Sequence, residues 1–122
     1  MSLKRWLPAI LWTTFILVLS SMPGADFSSV KSENFTIRKI LHLVEYAVLC
    51  LAFYRAVKKP YQTVLLSILV SVLDELRQSF IPTRTGKISD ILIDSSSVIL
   101  TGIVLWKYFQ NLPMTLKNWL RE

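Results

Sequence analysis

Two stretches of this chain, residues 6–22 and 88–109, are apolar over enough length to cross a lipid bilayer, and that property restricts the folds open to every other residue. A span needs about 20 residues, with roughly 17 as the lower end, because a helix advances only about 1.5 Å per residue. In hydrocarbon each backbone N–H and C=O must be bonded within its own segment, which makes such stretches helical. Two shorter apolar stretches, 40–54 and 61–73, reach spanning length once their polar flanks are counted, as 38–57 and 60–78. The expected fold is therefore all-α, an integral membrane bundle of four transmembrane helices at about 6–22, 38–57, 60–78 and 88–109. The whole of residues 1–122 forms one domain, with an interfacial C-terminal segment at 112–122.

Composition agrees. With 52% hydrophobic and 18% charged residues in 122 positions, the chain is too apolar for a water-soluble domain of this size, whose surface is a large share of the whole. Pro23 and Gly24 end the first helix, since proline interrupts the hydrogen-bond ladder and glycine accepts a left-handed terminus. Lys58, Lys59 and Pro60 form a turn so short that the second and third helices must be antiparallel neighbours. Lys4 and Arg5 before an apolar run also imitate a secretory leader, but no small-x-small site follows at a suitable distance, so the segment is read as the first span.

Charge orients the bundle. With the N-terminus inside, Lys4, Arg5, Arg55, Lys58, Lys59, Lys107, Lys117 and Arg121 fall on the inner face, and Lys31, Arg38, Lys39, Arg77, Arg84 and Lys87 on the outer, eight against six. The first helix usually dominates orientation, and its basic residues precede it, so both termini are expected inside. The net charge of +6 suits anionic headgroups, and its scatter over all the loops excludes a nucleic-acid surface.

Under this topology the acidic and imidazole groups converge toward the outer face. His42, Glu45 and Tyr46 share one face of the second helix by their i, i+3, i+4 spacing. Asp74, Glu75 and Gln78 end the third helix, Asp90 and Asp94 open the fourth, and Arg84 lies in the loop between them. Ser97 and Thr101 continue the Asp90–Asp94 stripe inward. Ionisable groups within membrane spans are costly and mark functional sites by default, so the first nine of these residues, without Ser97 and Thr101, form a candidate polar pocket. Structural readings stand beside that one. Asp90 can cap its own helix, His42 can bond between helices with Glu45 as partner, and Asp74 and Glu75 can pair with Arg77 and Arg84.

The chemistry is open at this point. Oxygen-rich ligands would suit magnesium, calcium or manganese, a divalent-cation reading that rests on residue types alone. Arg38, Lys39, Arg77, Arg84 and Lys87 could instead hold a phosphate of a polyprenyl-linked molecule or phospholipid. Ser20, Ser21 and Ser95 to Ser97 are nucleophile candidates by type only, without a Gly-x-Ser-x-Gly elbow. Cys50 is the single cysteine and reads as a small buried apolar residue.

The strings Lys39-x-x-His42-x-x-Glu45-Tyr46-x-x-Leu49, Asp74-Glu75-x-x-Gln78-x-Phe80-x-Pro82-x-Arg84-Thr85-Gly86 and Asp90-x-x-x-Asp94, preceded by Ser20-Ser21-x-Pro23, resemble the VanZ-like family of small bacterial membrane proteins. The chain departs from that pattern at Thr83 and Ser97, where the family usually carries glycine. The resemblance implies a multi-pass protein of the bacterial cytoplasmic membrane and envelope, some of whose relatives confer low-level resistance to lipoglycopeptides such as teicoplanin. It thereby suggests a partner, a lipid-linked envelope molecule or a lipoglycopeptide, bound in the outward-facing pocket. A membrane-embedded metal-dependent hydrolase or transferase acting on a lipid phosphate, and a structural interaction module, are the alternative readings.

Two flanking segments complete the picture. Residues 112–122 place Leu112, Leu116, Trp119 and Leu120 opposite Lys117, Asn118 and Arg121, as an interfacial helix with a tryptophan anchor would. Residues 26–39 have amphipathic spacing that fits a loop lying over the polar cluster. The orientation is testable with cysteines at positions 59 and 83 in a Cys50→Ala background. An impermeant thiol reagent applied to intact cells should label position 83 and spare 59, and the opposite pattern would invert the topology.

Overall fold

The computed structural model describes residues 2–21, 31–80 and 88–122. Among them the regular elements are all helical: α1 (Leu3–Ser21), α2 (Lys31–Val57), α3 (Pro60–Gln78), α4 (Ile88–Lys107), a short 3-10 turn at Phe109–Asn111 and α5 (Met114–Arg121). Helix α2 is central and packs on α1, α3 and α4, α3 also meets α1 and α4, and α5 folds back onto α2. Cross-helix pairs fix the antiparallel order. Trp6 meets Phe53 edge-on at 6.4 Å, and the Trp12 indole N–H donates to Glu45 O at 2.8 Å.

Three of these helices contain stretches long and apolar enough to cross a membrane, Leu3–Ser20, Thr36–Val57 and Ile88–Lys107, as a multi-pass membrane protein requires. The expectation of four spans is met to that extent. Helix α3 differs because Asp74, Glu75 and Arg77 crowd its last turns. Its fully buried residues, Thr63, Ser67, Ser71, Asp74, Glu75 and Gln78, are all polar. Its exposed face carries Leu65, Leu69, Val72, Leu73 and Leu76. The buried set recurs at three- to four-residue steps, so one narrow face of α3 lines the bundle interior with hydroxyls and acids.

Helix α2 supplies the apolar counterpart, burying Tyr46, Leu49, Cys50 and Phe53 at helical spacing. It begins at Lys31, seven residues ahead of the expected 38. No proline or glycine interrupts residues 31–37, so the ladder continues through a polar stretch that hydropathy had assigned to a loop. The expected loop over the cluster is thus corrected to helix from Lys31 onward, and its remainder, 26–30, lies outside the described residues. At the other end α4 stops at Lys107, short of the expected 109, where the chain tightens into the 3-10 turn.

The α2–α3 turn is two residues long. Lys58 closes α2 in the left-handed region at φ 64°, its N–H donating to Tyr54 O at 2.8 Å. A residue bearing a Cβ pays about 1–2 kcal/mol for that conformation. Pro60 then starts α3 where its missing N–H is not needed.

Helices α3 and α4 approach closely at Gly102, where a Cβ would sit inside the contact distance of Val64 Cγ2. Small residues allow such approach in membrane bundles, where van der Waals contact replaces much of the hydrophobic drive. Gly102→Ala should therefore lower stability by about 1–3 kcal/mol through overpacking. The Val64→Ala/Gly102→Ala double variant should recover most of it, measured as thermal midpoints in detergent micelles. Equal midpoints for wild type and Gly102→Ala would show that the helices do not touch there.

Candidate functional site

A belt of polar side chains crosses the bundle interior toward the end opposite the α2–α3 turn. Its deepest acid is Asp94, six residues into α4 and thus about 9 Å from that helix's start. Asp94 is completely buried and is held from two other helices: His42 Nδ1 on α2 lies 3.2 Å from Oδ1, and the Ser71 hydroxyl on α3 donates to Oδ2 at 3.1 Å. An ionised carboxylate only accepts hydrogen bonds, so His42 carries its proton on Nδ1 and Nε2 becomes the lone-pair nitrogen of the neutral ring. The ring is stacked one turn below by Tyr46, at 6.4 Å and 4° between planes.

The second centre is Asp74 on α3, 1% exposed. The Ser20 hydroxyl at the end of α1 donates to its Oδ1 at 2.5 Å, and the Gln78 amide donates to Oδ2 at 3.1 Å. Arg77 Nη2 reaches the same carboxylate at 3.3 Å, donates to Leu17 O at 2.6 Å, and contacts the Ser20 hydroxyl. This joins α1 to α3. Ser71 and Asp74, three residues apart on α3, link the two centres, and the Tyr46 hydroxyl lies near Ser71 and the acids Asp74, Asp94 and Glu75.

At the mouth Lys39 on α2 and Asp90 on α4 form an ion pair, with side chains 22% and 16% exposed. Asp90 thus bonds across helices, which its reading as a cap did not anticipate. The Ser97 hydroxyl donates to Leu43 O at 2.6 Å, a further α4–α2 tie, and Thr101 donates to Ser97 O at 2.9 Å within α4.

Of the nine candidate residues, the structure brings His42 and Asp94 into contact, joins Asp74 to Gln78, sets Tyr46 between the two acids, and places Asp90 above them. Glu75 is buried at 3% exposure beside Asp74. Glu45 is half-buried, and its backbone carbonyl accepts the Trp12 bond. Arg84 lies outside the described residues. Asp74 pairs with Arg77 as expected, whereas Lys39 serves Asp90 and the hydrogen-bond partner of His42 is Asp94. Sequence reasoning missed Ser71 and the bonding role of Ser20. Ser71 was discoverable from the four-residue recurrence Thr63, Ser67, Ser71 that runs into Asp74 and Glu75; Ser20 carried no such signal.

The arrangement can orient an imidazole and share protons or hydrogen bonds along its length. Of the candidate nucleophiles, Ser20 is bonded to Asp74, Ser96 to Leu92 O and Ser97 to Leu43 O, and none of these three hydroxyls meets His42. Among the described residues no three His, Cys, Asp or Glu side chains form a metal-holding group.

An all-α chain with three membrane-length apolar helices and a buried acid–imidazole belt defines a multi-pass membrane protein. The VanZ/LLP1 family profile matches residues 5–110, and the chain belongs to that family. Comparison with curated proteins and with solved structures returned no match.

The His42–Asp94 bond makes a stability prediction with a sign. His42→Ala leaves a fully buried carboxylate without its cationic or N–H partner and should lose about 3–5 kcal/mol. Asp94→Asn keeps acceptor and shape and should lose only about 1–2 kcal/mol. In the double variant no charge is stranded, so it should be more stable than His42→Ala alone. Denaturant titration in micelles would read all three, and simple additivity would show that the two groups do not interact.

Proposed function

We propose that all four long helices, α3 included, span the bacterial cytoplasmic membrane, with the start of α1 and helix α5 on the cytoplasmic side. Support for the fourth span is the inverted burial of α3, which turns Leu65, Leu69 and Leu73 outward and its hydroxyls and acids inward. Water would penalise that outward leucine face, whereas lipid accepts it, and 19 residues meet the length requirement of about 17 to 25. The positive-inside bias around α1 supports the orientation.

The polar belt then opens outward. In this reading it is the working part of an envelope factor that recognises the anionic headgroup of a lipid-linked envelope molecule, or a lipoglycopeptide itself, and thereby raises tolerance to such antibiotics. The carrying observation is the complete burial of Asp94 against His42 in a membrane-length helix. A carboxylate there carries a desolvation penalty of several kcal/mol that apolar packing would avoid, so its retention favours function over architecture. The mouth pair, Lys39 and Asp90, supplies a cation at the position where an anionic headgroup would first meet the belt.

The test is susceptibility to a lipoglycopeptide in a sensitive bacterial host expressing each protein at matched membrane levels. Wild type should protect, Glu75→Gln and Asp94→Asn should lose protection while remaining inserted, and Asp90→Asn should lose less. Full protection by both neutralised variants would leave the belt as a purely structural network.

A further inference from the structure

The opposite end of the bundle, at the α2–α3 turn, gathers a separate set of charges. Arg5 Nε donates to Glu122 O at 3.1 Å, Arg55 Nη1 donates to Trp119 O at 2.6 Å and to Glu122 Oε2 at 3.4 Å, and the Lys58 ammonium donates to Leu120 O. Leu120 is fully buried, so α5 is pinned there by a leucine wedge and three cations on its last carbonyls. The end of a helix carries roughly half a negative charge, and Glu122 adds a whole one. Three cations therefore converge on the carbonyl end of α5 and the Glu122 side chain.

At Lys58 the ammonium is held below the ordinary lysine range by burial first and by the neighbouring Arg5 and Arg55 next, with Glu122 opposing them. Donors also remain. Arg55 Nε is buried without a partner among the described residues, and only one Lys58 N–H is taken by Leu120. Lys58 occupies the left-handed backbone conformation that glycine would take without strain, so the position keeps a cation where the backbone disfavours any side chain.

Depth identifies the partner. Tyr61, Trp106 and Tyr108 ring this end, 76%, 70% and 53% exposed. Exposed tryptophan and tyrosine gather where hydrocarbon meets headgroups, so the cations lie at the level of lipid phosphates. We propose that Arg5, Arg55 and Lys58, beside the last turn of α5, form a binding site for the headgroup phosphodiester of an anionic phospholipid. Arginine offers the phosphate a planar fork and lysine a compact charge, and the bound lipid would tie α1, the α2–α3 turn and α5 together. The site is distinct from the acid–imidazole belt, which lies at the other end of the same helices.

The experiment is native mass spectrometry of the full chain from mixed micelles holding equal dioleoylphosphatidylglycerol and dioleoylphosphatidylcholine. The wild type should retain the anionic lipid selectively. Lys58→Gly, which relieves the backbone, and Arg5→Gln, at an exposed helix start, should each lower that retention about fivefold, the effect of one cation at an anionic surface. Lys117→Gln, a cation of α5 that points to Gln110 O instead, should leave it unchanged. Thermal midpoints in lipid-free detergent check folding, and Arg5→Gln keeps the test open should Lys58→Gly lower them. Equal retention of both lipids, an equal loss in Lys117→Gln, or a midpoint rise with inorganic phosphate matching that with the anionic lipid would each overturn the site.

Discussion

The fully enclosed Asp94 carboxylate is the constraint around which the rest of this bundle is arranged. A charge taken out of water is tolerated only when partners replace its hydration, and here the partners of an acid on α4 come from two other helices, His42 on α2 and Ser71 on α3. Hydrogen bonds between membrane helices are individually modest, on the order of 1 kcal/mol. Their weight lies in specificity, because rotating or sliding any of the three helices would strand the acid. Asp74 repeats the device between α1 and α3 through Ser20 and Arg77. Together the two acids determine which faces of all four long helices turn inward.

Helix α3 shows how this alters the usual division between inside and outside. Its interior face is hydroxyl and acid, its exterior face leucine. In water that distribution would be unfavourable on both sides, and no amphipathic rule for soluble helices would produce it. The apolar share of the core comes instead from α2, whose Tyr46, Leu49, Cys50 and Phe53 fill the centre, and from the close approach at Gly102. Polar bonding and small-residue packing thus share the work that a hydrophobic core does alone in a soluble protein.

The two ends of the bundle carry opposite chemistry. One holds acids and an imidazole enclosed between helices, with the Lys39–Asp90 ion pair at the mouth; the other holds arginine and lysine against helix carbonyls, ringed by exposed aromatics. The antiparallel order forced by the two-residue α2–α3 turn makes this separation possible, since it puts the acidic end of α3 beside the acidic start of α4 and leaves the basic turn at the far side. Family membership over residues 5–110 takes in the acidic end and Arg5, Arg55 and Lys58 of the basic end, and stops short of α5.

Much of this was legible in the residues themselves. Membrane-length apolar runs dictate helices because backbone groups have no other partners in hydrocarbon, and Pro23, Pro60 and Pro82 mark their limits. The i, i+4 spacing of Asp90 with Asp94 and of His42 with Tyr46 was enough to assign faces, so the acids and the imidazole were placed at one end without coordinates. Periodicity could not say which acid meets which base. His42 bonds Asp94 and Lys39 bonds Asp90 because of the vertical register between α2 and α4, a long-range quantity that the spacing within either helix does not contain. Hydropathy likewise misjudged the start of α2, since polar residues outside hydrocarbon continue a helix as readily as they form a loop. The same average hid the role of α3, whose polar residues are gathered on one buried face. Sequence determined the helices and the candidate groups, through local bonding and periodicity; tertiary structure decided the pairings, because burial of charge is settled only where separate helices meet.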